Sequence, residues 1–156
     1  MVRLVDVCSP PAMPTKFPIL LVDDDPAIAD ILNRAAQNSF IEASFIHVTT
    51  FEEAKQYIED LKGRGPKIVL LDIDLKGKAD GLDFLALLRA HPKGRTLPTV
   101  ILSASKAPRL VERAYAFGAS SFTSKPFSFL EWRVYLSNLR TYWYETVTLL
   151  DVRHEE

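Results

Sequence analysis

The chain has 156 residues, 47% of them hydrophobic, with 20 acidic against 19 basic side chains and a formal net charge of −1. That balance fits one globular domain with a real core and excludes a disordered tail or a nucleic-acid binder with a basic face. No apolar stretch approaches the roughly 20 residues needed to cross a bilayer. The N-terminus, with Arg3 and an interrupting Asp6, lacks a signal-peptide layout, so a cytoplasmic protein without nucleic-acid or membrane partners is expected. A single cysteine, Cys8, excludes an internal disulfide framework and any multi-cysteine zinc site.

Residues 1–16 carry Pro10, Pro11 and Pro14 among small polar residues and read as a flexible arm. Val2, Leu4, Val5 and Val7 allow a small edge strand there instead. From Phe17 the pattern becomes regular. Strand-like runs fall at Ile19–Val22, Ala43–Val48, Ile68–Leu71, Thr99–Leu102 and Ser120–Thr123. The first helical stretch opens at Pro26, with Ile28, Ile31, Leu32, Ala35 and Ala36 on one face. The second follows Thr49 and Thr50 as caps, buries Ala54, Tyr57, Ile58 and Leu61, and ends at Gly63. The third runs from about Leu82 to Ala90, before Pro92. The fourth starts near Pro108, uses Leu110, Val111, Ala114 and Phe117, and ends at Gly118. The fifth runs from about Ser128 toward Tyr144, with Leu130, Val134, Leu136 and Leu139 available to pack. Residues 146–150 then suggest a terminal strand or docking tail. Strands alternating with helices imply an α/β fold, a five-stranded parallel sheet covered by helices on both faces.

The strand ends carry the chemistry. Ile19-Leu20-Leu21-Val22 stops abruptly at Asp23-Asp24-Asp25 before Pro26, so carboxylates emerge at the carboxyl edge of a core strand, where open α/β sheets bind ligands. The third strand delivers Asp72 to the same edge, the fourth Ser103 and the fifth Lys125. Adjacent carboxylates need a neutralising charge, and an oxygen-rich site with few fixed ligands suits Mg²⁺, which keeps waters and takes a phosphoryl oxygen. Lysine supplies a point charge for phosphoryl oxygens, the hydroxyl a further donor, and a carboxylate can be the nucleophile that forms an aspartyl-phosphate. Asp25 reads better as a helix cap than as a ligand. His47, His91 and His154 show no ligand spacing and read as decoration of the surface or of element ends. Phe122, taken alone, reads as core.

With those residues in order at successive strand ends, the chain resembles the response-regulator receiver domains of two-component signalling, over roughly residues 17–144. The resemblance implies a doubly wound, flavodoxin-like fold, with residues 145–156 as a C-terminal extension. It implies that Asp72 is the phosphoacceptor and that Asp24 is a direct Mg²⁺ ligand, Mn²⁺ also fitting. Asp23 then holds the metal through water, and the backbone carbonyl of Asp74 completes the protein ligands. It makes Ser103 the switch hydroxyl, Phe122 the switch aromatic and Lys125 the phosphate-binding lysine, with a cis peptide bond before Pro126. The implied donor is a sensor histidine kinase or a histidine phosphotransfer protein. The domain is then a signalling phosphoacceptor rather than an enzyme, and its output is a changed surface formed by the fourth helix, fifth strand and fifth helix.

Some features depart from that pattern or compete with it. The loop from Asp72 to Gly81, through Lys76-Gly77-Lys78, is one residue longer than the commonest receiver form and lacks the frequent proline after Leu75, so Gly77 and Lys78 are expected to alter its path near Asp72. Asp72-Ile73-Asp74 also resembles the nucleophile motif of haloacid-dehalogenase-like phosphohydrolases. That reading leaves the Asp23-Asp24 pair unexplained and expects Thr or Val where Leu75 stands. A pseudo-receiver acting as a binding module would be expected to lack an acid or the lysine, and all are present. Trp132, Tyr135, Tyr142, Trp143 and Tyr144 give the fifth helix an aromatic weight that suits either an interface or the core. The run from Tyr142 to Leu149 resembles the tail of single-domain regulators paired with bacteriophytochromes, implying a homodimer through this face.

Overall fold

The computed structural model describes residues 16–75 and 80–155. The expected arm up to residue 15, and Lys76-Gly77-Lys78 of the long loop, lie outside the described residues. Five parallel strands form one sheet: β1 (Phe17–Val22), β2 (Ala43–Val48), β3 (Ile68–Asp72), β4 (Thr99–Ser103) and β5 (Ser121–Ser124), in spatial order β2-β1-β3-β4-β5. Helices α1 (Pro26–Ser39), α2 (Phe51–Glu59), α3 (Gly81–Ala90), α4 (Pro108–Ala116) and α5 (Phe129–Leu139) connect and follow them. The parallel sheet expected from the alternating pattern is present, in the doubly wound topology that the resemblance implies.

The central strands are apolar throughout because both their faces are covered. Successive side chains point to opposite faces. Ile19, Leu21, Ile68, Leu70, Val100 and Leu102 therefore join one core with α1 and α5. Leu20, Val22, Val69, Leu71 and Ile101 join the other, with α2, α3 and α4. Each fully buried Leu or Ile is worth roughly 1.5–3 kcal/mol, so these strands outweigh any cap in fixing the register. That register puts Val22 beside Val48 and Leu71, and Leu71 beside Ile101, so the strands end at one edge.

Local signals set the helix starts. The side chain of Asp25 accepts from the Ala27 N–H at 2.9 Å, Thr50 caps α2, and Ser128 forms a capping box with Glu131. Helix α4 is the exception, having no side-chain cap and a single buried residue, Ala114. Phe117, expected in its packing face, is exposed.

The C-terminal third differs most from expectation. Helix α5 gives way after Leu139 to a π-helical turn, Arg140–Thr146, instead of continuing as α-helix to Tyr144. Tertiary partners decide this. Arg140 is clamped by Glu42 and Glu145, while Tyr144 packs edge-on against Phe17 and Phe40. Trp132, Leu136 and Leu139 are buried, but Leu130 and Val134 face solvent at 65% and 56% exposure. Of the five aromatic residues singled out in this region, only Tyr142 is exposed. Residues 147–150 form no strand. Two-residue strands pair instead, Arg153–His154 running antiparallel to Gly63–Arg64. Gly63 does not end α2, which stops at Glu59; its φ of 64° turns the chain into this ribbon. The strap from 147 to 155 lies against Pro66, Lys67, Leu97 and Pro98, at the amino end of the sheet, enclosing about 40 Å³.

Candidate functional site

At the carboxyl edge, β1 continues one rung past its apolar run, with the Asp23 N–H donating to the Val48 carbonyl at 3.1 Å. The Asp23 carboxylate is fully buried. Its Oδ1 accepts from the Asp25 N–H at 2.9 Å, and its Oδ2 faces Lys125 Nζ at 2.9 Å. Asp72, 4% exposed at the end of β3, accepts from the Asp74 N–H at 3.0 Å through Oδ1 and from Lys125 Nζ at 3.2 Å through Oδ2. Asp24 is half-buried, and its Oδ2 is shielded without a hydrogen-bond partner. Each of Asp23, Asp24 and Asp72 offers an oxygen within 4.8 Å of the others. The expected acidic triad is assembled, and Asp25 stands outside it as a helix cap.

Three carboxylates against one ammonium leave a surplus of negative charge in a poorly solvated pocket. Burial holds the Asp23 carboxyl above the usual carboxylate range, and the Asp72 charge adds to this against the Asp25 N–H and Lys125. Burial also opposes the Lys125 charge, but Asp23 and Asp72 outweigh it and raise the ammonium above its usual value. The partnerless Asp24 Oδ2 and the all-oxygen donor set fit a divalent cation such as Mg²⁺ or Mn²⁺.

Strand β4 brings in Ser103, fully buried, whose hydroxyl donates to the Ser105 carbonyl at 2.9 Å and accepts from the Ser105 N–H at 3.1 Å. The hydroxyl is thus engaged by its own loop. Lys125 reaches the acids because its backbone N–H extends the β4–β5 ladder, donating to the Ser103 carbonyl at 2.9 Å. The bond before Pro126 is trans, against the expected cis isomer; the turn from Ser124 to the Ser128 cap is made without a cis peptide. Phe122 is half-buried against the α2–α4 side of the core, and its N–H donates to the Tyr115 hydroxyl at 3.2 Å. Gly81 opens α3 directly behind Asp72: a Cβ there would lie 2.5 Å from the Asp72 carbonyl oxygen.

Two contributors escape sequence reasoning. His47 donates from Nε2 to the Asp23 carbonyl at 2.7 Å, and Tyr115 supplies the acceptor on the outer edge of β5. The only signal for His47 was its place near the end of a strand parallel to β1.

An α/β domain that gathers three carboxylates, a lysine and a buried serine at the switch point of its sheet defines a class of acidic-pocket modules. The chain belongs to the family described as response regulator receiver domain, which matches residues 19–136. It is 30% identical over 130 residues to the probable methanogenesis regulatory protein FilR2 of Methanothrix harundinacea, covering 81% of this chain and 83% of that protein. Among solved structures it resembles response regulator RPA3017 in red light signaling of R. palustris, at 25% identity and a TM-score of 0.76 over 87% of this chain and 99% of that one. The Mn(2+)-bound form of response regulator Rcp1 gives 25% identity and a TM-score of 0.74 over 86% and 99%. Receiver domains take their phosphoryl group from histidine kinases and bind Mg²⁺ or Mn²⁺ in the acidic pocket. Among the described residues, no helix is long and apolar enough to cross a membrane.

Proposed function

We propose that this receiver accepts a phosphoryl group on Asp72 from a phosphohistidine donor and relays the event through its α4–β5–α5 surface. The observation that carries this reading is Lys125 Nζ set between the oxygens of Asp23 and Asp72, beside the partnerless Asp24 Oδ2. Asp24, Asp72 and the Asp74 carbonyl would hold a divalent cation directly, and Asp23 through water. When bound, the cation offsets charge on the phosphoryl oxygens.

One Asp72 carboxylate oxygen attacks phosphorus as the P–N bond breaks, and the imidazole leaves with the electron pair. The Asp74 N–H holds Asp72 Oδ1, which orients the carboxylate. Lys125, already 3.2 Å from Oδ2, moves its charge to a phosphoryl oxygen. The added charge of about −2 recruits the Ser103 hydroxyl away from the Ser105 carbonyl. The β4–α4 loop follows that hydroxyl, and α4, holding to the core by Ala114, is the helix least able to resist. Phe122 turns inward behind it, which shifts a pre-existing equilibrium.

The changed surface serves a partner or a second copy. Phe127, Leu130 and Val134 are exposed at 90%, 65% and 56% and border a groove of about 540 Å³ with Lys106 and Asn138, which supports such docking. Likeness to a red-light regulator and to a bacteriophytochrome response regulator supports a photoreceptor kinase of that class as donor, and a cytoplasmic protein is the reading that goes with it.

Phosphotransfer from candidate kinases with labelled ATP tests this reading. Stoichiometric, acid-stable and base-labile label on the parent, absent from Asp72→Asn, is expected. Equal labelling of both proteins would overturn it.

A further inference from the structure

We propose that His47 is a positioning residue that sets the acidic turn's affinity for its divalent cation. The inference rests on the metal-site reading above and adds a residue on β2 to it.

Asp23 is held at four points. Its N–H donates to Val48, its Oδ1 accepts from the Asp25 N–H, its Oδ2 faces Lys125, and its carbonyl accepts from His47 Nε2 at 2.7 Å. The first and last contacts both come from β2, where His47 stands beside Leu21 and Val48 beside Val22 in the register. Beyond Val48 the chain turns away to cap α2 through Thr50, so the Asp23 carbonyl has no further backbone donor on β2. The imidazole supplies that donor and extends the ladder by one rung. A carbonyl can only accept, so the Nε2 proton is fixed.

The consequence falls on Asp24. The carbonyl of Asp23 and the N–H of Asp24 belong to one planar peptide unit. Fixing the carbonyl direction fixes that plane and with it the Asp24 Cα, so that only the Asp24 backbone and side-chain torsions stand between the grip and the carboxylate. Asp24 Oδ2, the oxygen left without a partner, has no hydrogen bond of its own to hold it in place. Its aim is inherited through the peptide that His47 grips.

Isothermal titration of the full chain with Mn²⁺ tests this, using His47→Gln, whose amide nitrogen keeps a donor at similar reach, and His47→Phe, which keeps a planar ring without one. His47→Phe should weaken Mn²⁺ binding about three- to tenfold, the range for losing one hydrogen bond, while His47→Gln stays within about twofold of the parent. Titrations run well below each protein's melting temperature in EDTA separate this from loss of fold. Parent-like binding by His47→Phe, or equal weakening in both variants, would overturn the role of His47 and leave the metal site standing. No Mn²⁺ uptake by the parent would overturn the metal reading and this inference with it.

Discussion

Arg140 lays its guanidinium against the Glu42 carboxylate in a two-pronged pair, Nε to Oε1 at 2.8 Å and Nη2 to Oε2 at 2.9 Å, joining residues 98 positions apart. The hydrogen bonds from Arg140 hold the Glu42 carboxyl below the usual carboxylate range, against some burial. A carboxyl lowered in the folded state stabilises the fold at neutral pH and stops doing so as the pH falls through its folded value. Glu42→Gln should therefore cost about 1–2 kcal/mol at pH 7, and the gap from the parent should close in acid. Urea unfolding at neutral pH and below the ordinary carboxylate range measures both.

Asp24→Asn separates the fold from the cation. In EDTA the variant should melt no lower than the parent, because the lost charge had no partner and stood beside two other carboxylates. Added Mg²⁺ should raise the parent's melting temperature by mass action and leave the variant unmoved. Thermal scans with and without Mg²⁺ check it.

Helix α3 touches strand β3, which ends at Asp72, through a contact only glycine permits. Gly81→Ala would drive a Cβ to 2.5 Å from the Asp72 carbonyl oxygen and 2.7 Å from Ile73 Cα, both backbone atoms that cannot swing aside. A loss of about 1–3 kcal/mol and slower labelling of Asp72 are expected. Chemical unfolding and phosphotransfer rates read the two effects separately.

Much of this molecule is legible from its sequence for a physical reason. Ile19–Val22, Ile68–Leu71 and Thr99–Leu102 are buried on both faces, so composition and position report their environment directly. The Asp25, Thr50 and Ser128 caps are local by nature. The acids, Ser103 and Lys125 are legible because strand ends in a parallel sheet must share an edge. The π turn is not, since what bends α5 is Glu42, far away in sequence. Nor is His47, whose partner is a backbone carbonyl that no side-chain pattern marks. Leu130 and Val134 mislead in the opposite direction, having core chemistry and a solvent address.

Arg89 has a structural duty that nothing in its helical surroundings announces. Its guanidinium donates to the carbonyls of Gly118, Gly94 and Leu97 and to the Thr99 hydroxyl, at 2.9 to 3.2 Å. Burial pushes its pKa down. Arg89→Lys should cost about 2–4 kcal/mol, because a single ammonium cannot reproduce the fork and leaves carbonyls unpaired. Urea midpoints at neutral pH check this, with an unchanged m-value expected.

The strap beyond α5 makes the two helices of the proposed output face unequal. Helix α5 is bolted at its start by a capping box, at its end by the Arg140–Glu42 pair, and beyond that by a ribbon closing on Gly63–Arg64. Helix α4 is held more lightly, with no side-chain cap at its start and only the Tyr115 hydroxyl and the Arg89 bond to Gly118 near its end. A displacement of the β4–α4 loop is then a slide of one plate past a stationary one, and a docked partner would gauge the width of the seam between them.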